Sequence, residues 1–205
     1  MHELSRILVR IFYAVPPLWK FRVTGREYID RRKPFVIVVN HQAGLDIPTL
    51  YFVPLNFRWV SKREVFKVPF FGQFLLLHGD FCSNRGHATA AMEKVIRDGK
   101  LWLSRGASVA IFPEGTRSHD GEIHRFKAGA FTLAREAGVE ILPVVLDGTP
   151  TMIGRNGMFN WRNKLTVSIL PPVSAERVAA AAPKELMEQV RASMCVRLAE
   201  IKKQK

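Results

Sequence analysis

The sequence has few of the features that mark membrane-spanning, exported or disulfide-bonded proteins. Its 205 residues contain two cysteines, Cys82 and Cys195, without metal-ligand spacing or the density of a disulfide framework, which predicts a reducing, cytoplasmic setting. The longest uncharged stretch near the middle, 68–77, falls short of the about 18–20 apolar residues that span a bilayer. The N-terminus lacks the long apolar core and small-residue cleavage site of a signal peptide. We therefore expect a protein that is either soluble or lies on a membrane surface.

Acidic residues are also scarce. The chain has 18 Asp and Glu against 31 Lys and Arg, a formal net charge of +13, while 47% hydrophobic residues suffice for a folded core. Such a charge predicts an anionic partner, which is a nucleic acid, an acidic membrane or a phosphorylated substrate. A basic binding protein without catalysis is therefore one hypothesis. No helix-turn-helix, zinc finger or aromatic-basic RNA motif is present, so we do not expect nucleic acid as the partner.

Short apolar runs alternate with helical periodicities along the chain. This alternation predicts an α/β fold with a central mixed, largely parallel sheet flanked by helices, in one domain over 1–205. Strands are expected at 21–24, 35–39, 57–61, 108–112, 140–146 and 164–170, and a turn into a short strand is expected over 79–82. Helices are expected at 69–77, 87–105 and 127–136, and from Pro183 onward.

The N-terminal segment 1–19 has the pattern of an amphipathic helix. Its apolar residues recur at helical spacing, and Pro16 and Pro17 end the pattern. Over residues 1–33 there are eight Lys and Arg against three acids, and Trp19 lies among them. An apolar stripe with basic flanks and a Trp predicts a helix lying on an anionic membrane, and packing against its own domain is the alternative. The stripe consists of Leu4, Ile7, Leu8, Ile11, Phe12 and Val15.

A first polar stretch follows the predicted strand 35–39 and contains His41 and Asp46. Asp46 suits the N-cap of the short apolar helix that follows. Four intervening residues also allow the carboxylate to fold back and accept a bond from His41 Nδ1–H, leaving Nε2 free as a base. A capping and loop role without catalysis is the alternative. The spacing predicts a candidate catalytic pair at a strand end, where α/β proteins place their chemistry.

A second polar stretch, Phe112–Ser118, directly follows the predicted strand 108–112. Gly115 allows backbone N–H groups to approach an anion closely, Thr116 adds a hydroxyl, and Arg117 offers a bidentate fork for phosphate. A polar turn is the alternative interpretation. The two stretches end neighbouring apolar runs and are expected at the same edge of the sheet.

Together these stretches resemble four ordered motifs of the glycerolipid acyltransferase superfamily, the 1-acyl-sn-glycerol-3-phosphate and lysophospholipid acyltransferases. The resemblance covers about residues 34–150. Two departures concern the second motif, where Asn84 replaces the more usual Asp and Cys82-Ser83 replaces a more usual Pro and aliphatic residue. They leave the identity of the acceptor open. The motifs are Asn40-His41 with Asp46, Gly79–Arg85, Phe112–Ser118, and Leu142-Pro143-Val144-Val145, with Phe126–Gly129 fitting after the third.

The resemblance implies transfer of a fatty acyl group from an acyl thioester to the free hydroxyl of lysophosphatidic acid, which forms phosphatidic acid. His41 would be the general base and Asp46 would orient it. Lys62, Arg85 and Arg117 would bind the acceptor's phosphate. Glu114, Gly115 and Thr116 would belong to the same acceptor site, where Glu114 holds either an arginine or a glycerol hydroxyl. Another acceptor, such as a lyso-ornithine lipid, is the alternative.

The resemblance also implies the partners. No metal or cofactor is expected beyond the co-substrate, acyl-coenzyme A or acyl carrier protein. No G-x-S-x-G nucleophile motif is present, which favours direct transfer without an acyl-enzyme. Because the chain is similar to compact bacterial members, we expect a bacterial protein that is peripheral or monotopic on the cytoplasmic face of the cell membrane.

Overall fold

A seven-stranded sheet forms the centre of the fold. The computed structural model describes residues 2–14, 20–62, 81–83, 88–152, 158, 160 and 162–204. The strands are β1 (Lys20–Thr24), β2 (Phe35–Val39), β3 (Phe57–Lys62), β4 (Phe81–Ser83), β5 (Ser108–Ile111), β6 (Glu140–Asp147) and β7 (Lys164–Ile169). The α-helices are α1 (His2–Ala14), α2 (Asp46–Thr49), α3 (Ala88–Ser104), α4 (Gly129–Ala137), α5 (Ala175–Ala180) and α6 (Pro183–Lys203). Single 3₁₀ turns lie at Arg26–Tyr28, Leu50–Phe52 and Thr149–Thr151.

The sheet is mixed and largely parallel, as the sequence predicts. Its order is β1-β7-β6-β2-β5-β3-β4, and among the strands of the described residues only β6 and β7 pair antiparallel. Strands β2, β3, β5 and β6 therefore run in the same direction, and their carboxyl ends meet at one edge. The loops that follow β2 and β5 carry His41 and Asp46 and the Glu114–Arg117 stretch, so the topology brings these candidate residues to one edge.

Strand β2 shows how the sheet divides the core. All five of its residues are buried, because β5 and β6 flank it and helices cover both faces. Val36 and Val38 pack in the core beneath α3, α4, α5 and α6. Phe35, Ile37 and Val39 pack on the opposite face, in the core that includes the Leu50–Phe52 turn. Successive side chains of β2 thus point alternately into the core on each face of the sheet.

One side of helix α1 packs against the core that contains Phe35, Ile37 and Val39. Tyr13 is buried and Val9 is half-buried, whereas Ile7 and Ile11 are 54% and 57% exposed. The apolar residues of α1 therefore do not all serve packing within the domain. No helix in the described part of the chain has the length and apolar character needed to cross a membrane.

The structure corrects the prediction for Asp46 and leaves others untested. Leu45 occupies the N-cap position of α2, Asp46 is the first residue of the helix, and no side chain caps this end. The Asp46 carboxylate instead turns back into the preceding loop. The short helix α5 was not predicted from the sequence. The predicted helix 69–77, Arg85 and the side chain of Lys62 lie outside the described residues.

Candidate active site

His41 and Asp46 form a hydrogen-bonded pair just beyond β2. His41 Nδ1 lies 2.8 Å from Asp46 Oδ2, and the Asp46 side chain is fully buried while that of His41 is 16% exposed. A carboxylate only accepts hydrogen bonds, so Nδ1 carries the proton of the neutral imidazole and Nε2 carries the lone pair. Asp46 Oδ2 also accepts the backbone N–H groups of Gln42, at 2.5 Å, and Ala43, at 2.8 Å. The pair can therefore present an oriented base.

The imidazole ring lies at the end of a stack that contains two aromatic side chains. The His41 ring stacks on Phe112 with centroids 3.9 Å apart and planes 13° apart. Phe112 stacks in turn on Trp59 of β3, at 4.8 Å and 22°. The stack follows the strand order β2, β5, β3, so the sheet itself sets the plane of the imidazole.

Glu114 connects the two motif loops through backbone hydrogen bonds. It is 5% exposed; Oε1 accepts the N–H of His41 and Oε2 accepts the N–H of His124, both at 3.0 Å. Ser118 N–H donates back to the His41 carbonyl at 2.8 Å. Burial raises the pKa of Glu114 above its ordinary value, although the two backbone bonds act in the opposite direction. Glu114 thus fixes the backbone beside the base through these two contacts.

The loop after β5 presents a basic surface. Gly115 has φ +71°, and a Cβ built on it would lie 2.7 Å from Lys127 Nζ, so the glycine lets that lysine cross the turn. Lys127 N–H donates to the Pro113 carbonyl at 2.8 Å, which fixes its backbone against the loop. Thr116 and Arg117 are exposed in the same loop. The structure thus places Lys127, from the Phe126–Gly129 stretch, beside the predicted anion site.

The segment 118–124 forms a turn organised by Asp120. Its Oδ1 accepts Glu122 N–H at 3.0 Å and Ser118 Oγ–H at 2.8 Å, and these bonds lower the pKa of Asp120 to about 2. Gln42 Nε2 donates to the Gly121 carbonyl at 3.2 Å, which ties the turn to the His41 loop. Within the described ranges no group of three or more His, Cys, Asp or Glu residues is arranged to hold a metal ion.

A third strand end, that of β6, contributes Thr149, which lies outside the motifs that the sequence shows. Thr149 is 1% exposed, and its hydroxyl donates to Asp46 Oδ1. The side chain of Asn40 pairs with both backbone groups of Leu146, at 2.9 Å and 2.8 Å, and so extends the contact between β2 and β6 up to this point. Thr149 and Asp46 are 103 positions apart, and no motif links them. The one available signal was a polar residue at the end of a predicted strand.

Helix α1 also reaches the segment that carries Asp46. Tyr13 Oη lies 2.5 Å from Thr49 Oγ1 and donates to the Leu45 carbonyl at 3.2 Å. Burial is the main reason that the pKa of Tyr13 is raised well above its ordinary value, so its hydroxyl stays protonated. This contact anchors α1 on α2.

The comparisons with known proteins identify the family of this chain. The model of the Acyltransferase family matches residues 20–147. A 1-acyl-sn-glycerol-3-phosphate acyltransferase of Chlamydomonas reinhardtii is 34% identical over 85% of this chain and 56% of its own length. One of Saccharomyces cerevisiae is 33% identical over 98% of this chain and 68% of its own. The chain thus spans about half to two thirds of the length of these relatives.

A solved structure shares the fold. The crystal structure of the 1-acyl-sn-glycerophosphate (LPA) acyltransferase PlsC from Thermotoga maritima superposes with a TM-score of 0.80 at 25% identity. The match covers 98% of this chain and 79% of that one. The relatives come from an alga, a yeast and a bacterium, so they do not indicate the source of this chain.

Proposed function

This chain belongs to the acyltransferase family, and from that premise we propose that it transfers a fatty acyl group from an acyl thioester to the free hydroxyl of lysophosphatidic acid. The product is phosphatidic acid. The observation that carries the proposal is the oriented pair of His41 and Asp46 beside a basic loop. The names of the two curated relatives and of the solved structure support the choice of acceptor.

His41 acts as the general base in this proposal. Nε2 takes the proton of the acceptor hydroxyl while Nδ1 remains bonded to Asp46. The acceptor oxygen attacks the thioester carbonyl carbon, and a tetrahedral intermediate forms. Its collapse breaks the carbon–sulfur bond, and the proton passes from Nε2 to the leaving thiolate. The step is a direct transfer without an acyl-enzyme, and a positioned base of this kind contributes about 10²–10⁴-fold.

The acceptor's phosphate binds at the loop after β5. Arg117 supplies the bidentate fork, Lys127 lies against Gly115, and the exposure of Arg117 leaves it accessible to a ligand. Lys62 and Arg85 complete the site in this proposal. Thr116 adds a hydroxyl donor in the same loop. A net charge of +13 favours an anionic donor as well, which suits both acyl-coenzyme A and acyl carrier protein.

The chain acts at the membrane surface in this proposal, peripherally and on the cytoplasmic face. The exposed Ile7 and Ile11 of α1 and the exposed Arg10 between them support contact with an anionic bilayer. A lysophospholipid acceptor is itself a membrane component, so a surface-bound enzyme meets it where it resides.

The deciding experiment measures free thiol released from acyl-coenzyme A with and without lysophosphatidic acid. The wild type is compared with His41→Ala and with His119→Ala, which removes an exposed histidine from the neighbouring loop. We expect release that depends on the acceptor, a loss of about 10²–10⁴-fold in His41→Ala and none in His119→Ala. Silence with acyl-coenzyme A and acyl carrier protein, across lysophospholipid and lyso-ornithine acceptors, would leave a binding protein as the better interpretation. Thiol release that persists in His41→Ala would refute the assignment of His41 as the general base.

The phosphate site is tested with two acceptors. Arg117→Ala and Lys127→Ala should raise KM for lysophosphatidic acid, while turnover of a monoacylglycerol without phosphate should not change. Arg125→Ala, which removes an exposed arginine from the segment before α4, is the matched control. Equal effects on both acceptors would show that these side chains do not bind the phosphate.

A further inference from the structure

We infer that Thr149 is a positioning residue for the base: its hydroxyl fixes the Asp46 carboxylate so that Oδ2 faces His41. The inference rests on the proposed acyl transfer and adds to it a residue that none of the four motifs contains. The observation that supports it is the hydrogen bond that Thr149 Oγ1 donates to Asp46 Oδ1.

The two oxygens of Asp46 are held by different parts of the chain. Oδ2 accepts from His41 and from the N–H groups of Gln42 and Ala43, all within the loop that leads to α2. Oδ1 accepts from Thr149, which follows β6. A carboxylate can rotate about its Cβ–Cγ bond, and donors on both oxygens remove that freedom. The Thr149 hydroxyl therefore sets the plane in which Oδ2 meets the imidazole.

The fold holds Thr149 in place by several independent contacts. Asn40, the residue before His41, binds both backbone groups of Leu146 and fixes the end of β6 relative to β2. Gly148 has φ +97°, and a Cβ there would lie 2.1 Å from the Lys164 carbonyl oxygen, so the chain turns here only with glycine. Asn163 Nδ2 donates to the Gly148 carbonyl at 2.8 Å. The Thr149 hydroxyl is thus preorganised toward Asp46.

Removing the hydroxyl has a predictable electrostatic sign. Asp46 is fully buried, so Oδ1 without its donor would keep an uncompensated share of the negative charge in an environment that water does not reach. That charge stabilises the protonated form of the adjacent imidazole. The base then becomes neutral at higher pH, and the acidic limb of the kcat/KM profile shifts upward.

The test compares Thr149→Val, which keeps the shape and loses the hydroxyl, with Thr149→Ser, which keeps the hydroxyl. We expect Thr149→Val to lower kcat about ten- to a hundredfold with KM for both substrates nearly unchanged, because the base is misplaced rather than the substrate. Its acidic limb should move to higher pH. Thr149→Ser should recover most of kcat and the wild-type profile.

The matched control is Thr151→Val, in the same turn. The Thr151 hydroxyl bonds to the Gly148 carbonyl and to Asn163 Oδ1, at 3.0 Å and 2.9 Å, and makes no contact with the pair. We expect it to lower the melting temperature and leave the pH profile in place. Equal losses in Thr149→Val and Thr151→Val with no shift of the limb would overturn the inference, as would a Thr149→Ser variant as poor as Thr149→Val.

A readout without turnover separates this inference from the proposed function. The pH titration of the His41 ring is followed by NMR, with its signal identified by its loss in His41→Ala. An upward shift of the midpoint in Thr149→Val, without one in Thr151→Val, supports the positioning role even if the wild type acylates no tested acceptor. A midpoint that does not rise overturns the role even if the acyl transfer is established.

Discussion

Asp46 and Glu114 are both buried, and together they take up three successive backbone N–H groups of the His41 loop. Glu114 accepts from His41, and Asp46 accepts from Gln42 and Ala43. A buried carboxylate is costly unless donors compensate it, and unpaired loop N–H groups are costly as well. Each group therefore satisfies the other, and the loop that carries the base gains a fixed shape without regular secondary structure.

Glu114→Gln tests this arrangement at the residue scale. The amide keeps one acceptor but places an NH₂ group against the second backbone N–H, so the two loops lose one of their connections. We expect kcat to fall up to about 10²-fold, the loss typical of a displaced catalytic group. Steady-state kinetics measures it, with Glu122→Gln as the control because Glu122 is exposed and pairs with Lys202. An equal loss in the control would indicate a general effect of removing a nearby charge.

The same variant gives a pH signature in stability. Burial raises the pKa of Glu114 in the folded state above its ordinary value, so the unfolded chain loses this proton at a lower pH than the folded chain. The stability that the protonated group contributes is complete below the ordinary pKa and is lost as pH rises through the folded value. Relative to Glu114→Gln, the wild type's free energy of unfolding should therefore decline over that range. Denaturant titrations at several pH values measure the difference, and a constant difference contradicts the direction.

At the scale of elements, α1 faces two environments. Tyr13 lies edge-on to Phe21 and Phe52, with ring centroids 5.9 Å and 5.3 Å away, and its hydroxyl contacts the segment of α2. Ile7 and Ile11 point away from the domain. One side of the helix thus anchors it next to Asp46, and another side keeps apolar surface available.

Tyr13→Phe removes only the hydroxyl from this anchor. We expect a loss of about 1 kcal/mol in the free energy of unfolding, because the buried Thr49 hydroxyl loses a partner while the ring packing remains. Chemical denaturation measures the change. Tyr28→Phe, at an exposed position, should be neutral. If both variants are neutral, the hydroxyl contact does not stabilise the docking of α1.

Replacing Ile7 and Ile11 with Asn tests the outer side of the same helix. Both side chains are more than half exposed, so the double variant should fold with unchanged stability and lose binding to vesicles that contain anionic phospholipid. Vesicle sedimentation measures binding, and thermal unfolding checks stability. A matched double variant at the exposed Leu101 and Val196 should bind as the wild type does. Retained binding in the Ile7 and Ile11 variant would rule out α1 as the membrane contact.

The charge acts at the scale of the whole molecule. An excess of 13 positive charges on 205 residues creates a field that attracts anionic surfaces and anionic substrates. The field is long-range at low ionic strength and is screened beyond about 8 Å at ~0.15 M salt. Apolar insertion of a helix does not share this dependence.

The salt dependence of vesicle binding therefore separates the electrostatic contribution from the apolar insertion of α1. We expect binding of the wild type to anionic vesicles to weaken steadily as ionic strength rises, and binding to purely zwitterionic vesicles to be weak throughout. Sedimentation across a salt series measures this, and affinity for anionic vesicles that does not change with salt would contradict an electrostatic contribution.

Much of the fold was predictable because its signals are local. The runs at 35–39, 108–112 and 140–146 correspond to β2, β5 and β6, since strands buried on both faces must be continuously apolar. Gly138 closes α4 with φ +64°, as a glycine after a helical pattern indicates. The boundaries differ by one or two residues, and the N-cap assigned to Asp46 was wrong because its carboxylate satisfies the preceding loop instead of the helix.

The sequence by itself determined the mixed, largely parallel sheet, the pairing of His41 with Asp46 and the family, because each is carried by short local patterns and their order along the chain. Only the tertiary structure decided that Glu114 binds backbone N–H groups, that Phe112 stacks on the base with Trp59 behind it, and that Thr149 reaches Asp46. These contacts join residues tens to a hundred positions apart. They exist because parallel strands bring their carboxyl ends to one edge of the sheet. Local sequence patterns do not determine the order of strands within a sheet.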